Sequence, residues 1–140
     1  MAVATHVSRV SKDYAPHGYS IMEDVVVRFG ALAHSGSHNV FVHMPLDSDI
    51  YVESAALVFD TAAHANADWN VTVVNNTTSQ ALTGAAVATG AVAALTPQKL
   101  EITANQVVAQ NAVLVARFAD DSSAANSPTG AVVLRYRRKA

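Results

Sequence analysis

The sequence predicts an all-β protein: a single-domain antiparallel β-sandwich, jelly-roll-like, with about eight strands. Three observations predict it. Apolar and polar residues alternate with a period of two through several short runs rich in Val, Phe and Tyr. Clusters of turn formers, among them "HSGSH", "PLDSD" and "DDSSAANSPTG", separate those runs. No stretch carries the 3.6-residue period of a long amphipathic helix.

The elements follow in chain order. Residues 1–20 show no clean period and read as an extended N-terminal arm, with Tyr14 and Tyr19 as anchors; residues 21–140 read as the sandwich. In "MEDVVVRFGALA", Val25, Val27, Phe29 and Ala31 share one strand face, while Asp24, Val26, Arg28, Gly30 and Leu32 share the other. "HSGSH" is a turn, and "NVFVHM" is a second strand that "PLDSD" breaks. "IYVESAALVFD" is a long apolar run, as expected of a central strand. "TAAHANAD" is a connector, and "WNVTVV" alternates again, with Trp69 assigned to the core. "ALTGAAVATGAVAAL" is built from small residues; Gly84, Gly90 and two threonines disfavour helix, leaving a strand or loose hairpin. "TPQK" is a turn or one helical turn, "LEITA" a short strand, "NQVVAQN" a connector and "AVLVARFA" a strand. "AVVLRYRRK" closes the fold.

Composition narrows the function classes. A chain of 140 residues suits one domain. Only 14% of residues are charged, against about a quarter in ordinary soluble domains. So few charges imply surface hidden against other protein, and hence a homo-oligomer or larger assembly. There is no cysteine, which excludes disulfides and thiolate chemistry. No apolar run reaches the ~18 residues of a membrane-spanning helix, and the N-terminus lacks the apolar core of a secretory signal. A net charge of −2 gives no general attraction to nucleic acid or membrane.

Three of the chain's six histidines, His34, His38 and His43, lie in "ALAHSGSHNVFVHM". Imidazoles in a cluster are potential metal ligands. A regular strand, however, puts His38 with Val40, Val42 and Met44 and turns His43 to the opposite face with Asn39 and Phe41. The cupin family, which shares the jelly-roll shape, places a His-x-His pair and a Glu in one hairpin; neither is present here. No metal and no cofactor are expected. Asp47 and Asp49, and Asp120 and Asp121, read as turn residues. Without a G-x-S-x-G elbow or a glycine-rich phosphate loop, the expectation is a protein that is not an enzyme.

The C-terminus is more informative. In "GAVVLRYRRKA", Val132, Leu134 and Tyr136 share the core face; Arg135, Arg137 and Lys139 form an outward stripe, with Arg138 beside it. Such a stripe either contacts an acidic partner surface or guards a sheet edge against pairing. It is too small a footprint for nucleic-acid binding.

The run "LEITANQVVAQNAVLVARFADDSSAANSPTGAVVLRYRRKA" resembles the C-terminal half of small bacteriophage virion proteins with β-sandwich folds, the head decoration (cement) and accessory proteins. The resemblance lies in the order of short strand, polar connector, apolar strand, Ser/Ala/Asn/Pro loop and basic final strand. It implies a structural, non-enzymatic protein on the capsid surface of a virion, made in the host cytoplasm. Its partners would be the major capsid protein and copies of itself, in a homo-oligomer that is often a trimer. Tyr14, Tyr19, His34, His38, Arg135, Arg137 and Lys139 are the candidate assembly contacts. A carbohydrate-binding module on a similar sandwich, with Trp69, Tyr51 and Tyr14 as sugar platforms, is the alternative.

Overall fold

The computed structural model describes residues 19–30, 37–60, 69–83, 87–88, 93–120 and 129–139. Ten strands run through them: β1 (Tyr19–Phe29), β2 (Ser37–His43), β3 (Ile50–Phe59), β4 (Trp69–Asn75), β5 (Gln80–Ala81), β6 (Val87–Ala88), β7 (Gln98–Leu100), β8 (Val107–Val108), β9 (Leu114–Asp120) and β10 (Gly130–Lys139). They form two five-stranded sheets packed as a sandwich. Sheet A runs β1-β10-β3, with β7 and β8 both pairing with β3; sheet B runs β2-β9-β4, with β5 and β6 both pairing with β4.

Every pairing is antiparallel. The two broken strands each fill one position, so the ten strands occupy eight places. First then pairs with last: β1 with β10, β2 with β9, β3 with β7 and β8, and β4 with β5 and β6. That is one long antiparallel hairpin rolled into two layers, the jelly-roll arrangement. Consecutive long strands change sheet, and this rolling brings β1 beside β10 across more than a hundred residues of chain.

The core follows from the alternation. Val132, Leu134 and Tyr136 of β10 are buried, as are Val71 and Val73 of β4 and Leu114, Ala116 and Phe118 of β9. In β3 the phase changes part-way: Ile50 and Val52 face inward, and so do Ala55, Leu57 and Phe59. A register shift opposite Arg135 and Tyr136 leaves Glu53 as the extra residue that permits this. Between the sheets Phe29 meets Phe59 edge-on at 6.2 Å and Phe118 at 4.9 Å. Aromatic pairs at these separations add ~0.5–1.5 kcal/mol beyond area burial. Gly130 opens β10 directly against β3. A Cβ there would run into the Val58 carbonyl oxygen, so the close approach of the two strands requires glycine.

The small-residue region differs in detail from expectation. "TPQK" is not wholly a turn, because Gln98 and Lys99 belong to β7. "LEITA" contributes only Leu100 to that strand and Ile102 to an isolated bridge with Thr83. The connector "NQVVAQN" contains β8. Positive φ at Ser79, Leu95, Asn105 and Asn111 bends the chain repeatedly here. Short ladders therefore replace one continuous strand at each far sheet edge.

Of the segments assigned from sequence, most of the N-terminal arm, including Tyr14, lies outside the described residues, as does His34. β1 starts at Tyr19, within the stretch assigned to the arm.

Candidate functional site

The outward C-terminal stripe exists, and its arginines are ion-paired within the chain. On sheet A, Asp24 of β1 lies opposite Arg135. The Arg135 guanidinium donates to both oxygens of that carboxylate, at 2.8 and 3.1 Å. Arg137 donates to Glu53 at 2.6 Å, with the arginine side chain only 14% exposed. Arg138 donates to Glu23 at 2.6 Å and reaches Asp47 at 3.5 Å. At the opposite end of the sheet, Arg28 donates to Asp60 at 2.7 Å. The Arg135 guanidinium holds the Asp24 carboxyl below its usual range, chiefly through that hydrogen bond. Lys139 is exposed, and its backbone N–H donates to the Asp49 carbonyl at 2.9 Å. The stripe is thus one side of an ion-pair lattice across β1, β10 and β3.

The densest group of titratable side chains closes one end of the sandwich. His43, Met44, Leu46, Asp47, Tyr136 and Arg138 line a pocket of about 140 Å³. A shift in the β2–β9 register between Phe41 and His43 places His43 opposite Leu114. Its half-buried imidazole then stacks on Tyr136, a core-facing residue of the other sheet, at 4.8 Å and 26°. This corrects the expectation that regular alternation turns His43 outward with Asn39 and Phe41. A bulge re-aims the side chain. Burial, helped by the nearby Arg138 charge, pushes the His43 pKa below its ordinary value. Burial and the neighbouring Glu23 carboxylate push the Tyr136 phenol up.

The loop beneath is stapled to the β8–β9 connection. Gln110 N–H donates to Asp49 Oδ1 at 2.9 Å, Gln110 Nε2 to the Leu46 carbonyl at 2.6 Å, and Asn111 N–H to the Pro45 carbonyl at 2.7 Å. The Asp49 carboxylate thus holds a backbone N–H 61 residues away, where a turn residue would bond the backbone of its own turn. The Ser48 hydroxyl donates to the Asp49 carbonyl at 3.3 Å. The pocket offers an imidazole, one carboxylate and the Arg138 guanidinium, which is also paired with Glu23. That arrangement fastens β10 and the β2–β3 loop together.

His38 lies on β2 opposite Phe118, half-buried on the same side as Val40 and Val42, and has an interaction partner. His38 and His43 sit at the two ends of β2, and among the described residues no three His, Asp or Glu groups are placed to hold a metal ion. Tyr19 lies opposite Lys139 at the far end of β1 from Arg28. The acids that complete the lattice, Glu23, Asp24 and Glu53, were not singled out from sequence. The available signal was Asp24 alternating onto the outward face of its strand.

Sheet B has the opposite character. Its outward residues include Ser37, Asn39 and Phe41 of β2, Arg117 of β9, and Asn70 and Thr72 of β4. Arg117 donates to Asn39 Oδ1 at 3.1 Å and Asn76 Oδ1 at 3.3 Å, so its partners are neutral amides. Phe41 is 55% exposed. Comparison with known proteins yields no match to this chain among family models, curated proteins or solved structures.

Proposed function

We propose that this chain is a non-enzymatic structural protein of a virion, a decoration or cement protein that binds the head shell through its major capsid protein. The observation that carries the proposal is the division of charge between the two faces. Arg28, Arg135, Arg137 and Arg138 on sheet A are matched by carboxylates of the same chain. The outward positions of sheet B hold amides, hydroxyls, one arginine and an exposed phenylalanine, together with Ala119 and with Val74 and Val115, which are buried. Protein interfaces are depleted in charged residues at their centres and enriched in aromatic residues and arginine, and this face has that composition. The jelly-roll order of strands supports the proposal by fold-level analogy, since capsid proteins are among its hosts. The resemblance of residues 100–140 to phage head proteins points the same way.

The test is co-sedimentation of the purified chain with empty head shells of its source virus. Saturable co-pelleting is the expected result. A chain that stays in the supernatant at every ratio removes the proposal. Hits on a glycan array from such a chain would favour the carbohydrate-binding alternative.

A further inference from the structure

The sandwich has four sheet edges, and three are protected by recognisable means. The outer edge of sheet A is β1, which carries Glu23, Asp24 and Arg28 and shifts register between Tyr19 and Met22. Charged side chains and bulges are standard deterrents to edge pairing. The two far edges are broken into β5 with β6 and β7 with β8, none longer than three residues. The fourth edge is β2. It runs seven residues as "SHNVFVH", with no Lys, Arg, Asp, Glu or Pro; its register shift lies at one end, between Phe41 and His43, which leaves Ser37–Phe41 regular, and among the described residues it pairs with β9 alone.

We infer that β2 is a self-pairing edge, and that its occupant is the β2 strand of a second copy of this chain. Antiparallel pairing about a two-fold axis at Val40 joins the two B sheets into one. Asn39 of each copy then stands opposite Phe41 of the other. The two Phe41 rings lie on the diagonal across the new junction, within the reach of aromatic side chains. Pairing would cover a ring that is 55% exposed in the single chain. On the core side, Val40 meets Val40.

Electrostatics favour a second copy at this edge. No Lys, Arg, Asp or Glu lies on β2; the adjacent strand contributes Arg117, which is held by Asn39 and Asn76, and Asp120 at its end, opposite Trp69. Self-pairing therefore sets neutral surface against neutral surface. Pairing two β1 edges would instead crowd the ion-paired row. The inference goes beyond the proposed function and stands whether or not the protein decorates a shell. Its symmetry is two-fold, where the family resemblance implies a trimer.

Sedimentation velocity on the full chain supplies the first test. A dimer is expected, with Phe41→Lys weakening self-association at least ~10-fold while leaving the thermal melt in place, because the side chain points to solvent. The second test uses the absence of native cysteine. Val40→Cys, as the only thiol, should oxidise to a disulfide-linked dimer in high yield under mild oxidant, since facing residues across an antiparallel pair have suitable Cα spacing. A monomer at all concentrations overturns the inference. So does a trimer, or a dimer that survives Phe41→Lys and fails to cross-link through Val40→Cys. Pairing of β2 with the chain's own N-terminal segment, or with a strand of another protein, would give the monomer result.

Discussion

Two glycines, changed to alanine in the same way, should move stability in opposite directions. At Gly130 an added Cβ meets the Val58 carbonyl oxygen and lies 3.0 Å from Phe59 Cα. Both obstacles are backbone of the adjacent strand, so no side-chain rotation relieves them. The β3–β10 pairing must shift just where Phe59 enters the aromatic cluster. Overpacking of this kind costs ~1–3 kcal/mol. At Gly30 an added Cβ has nothing within 4 Å. Alanine there restricts the unfolded chain without strain and should stabilise by ~0.4–1 kcal/mol. With a urea m-value of ~1–3 kcal/mol/M, the two midpoints separate by roughly 0.5–4 M. Equilibrium urea unfolding followed by far-UV circular dichroism, with unchanged m-values, measures both. If Gly130→Ala matches or exceeds the parent in stability, the strand approach described here is wrong.

Three further outcomes are expected. The His43 pKa is lowered by folding, so the unfolded chain takes up its proton first as pH falls. Stability linked to His43 is complete above the ordinary histidine value near ~6.5 and declines as pH falls toward the lower folded value. His43→Phe should flatten that slope in urea titrations between about pH 5 and 7; an unaltered slope would mean the imidazole is not held neutral. Glu53→Gln removes the negative charge that pairs with the most enclosed arginine in the lattice and should cost ~1–2 kcal/mol. Asp24→Asn, at a solvent-exposed pair, should cost less, and thermal melts that reverse the order would contradict the burial pattern. Leu95 sits at φ 57° and is 71% exposed. Leu95→Asn should therefore stabilise by ~0.5–1 kcal/mol and Leu95→Val should destabilise, both read from unfolding midpoints.

Period-two alternation made most of the fold legible. Val25, Val27 and Phe29 in β1, and Val132, Leu134 and Tyr136 in β10, face the side their spacing predicts. Alternation fails where a bulge changes its phase, at Glu53 and at His43. Both shifts belong to a ladder shared with another strand, so neither is visible within one segment. The edge strands built from small residues were blurred for a related reason: "ALTGAAVATG" has too little contrast between its faces to announce a register. The ion-pair lattice was hidden by distance. Arg135 and Asp24 are 111 residues apart in sequence, and only the rolling of the chain makes them neighbours. A basic stripe read alone suggests an external acidic partner; beside β1 it proves to have internal ones.

The most direct measurement of the central claim is the number of chains bound per head shell at saturation. Quantitative co-sedimentation with empty shells, repeated with a lysine at Thr72 on the outward face of sheet B, supplies it. The account predicts a fixed stoichiometry for the parent chain and weakened binding for Thr72→Lys, with folding unchanged. Absence of binding by the parent chain, or equal binding by both, would contradict it.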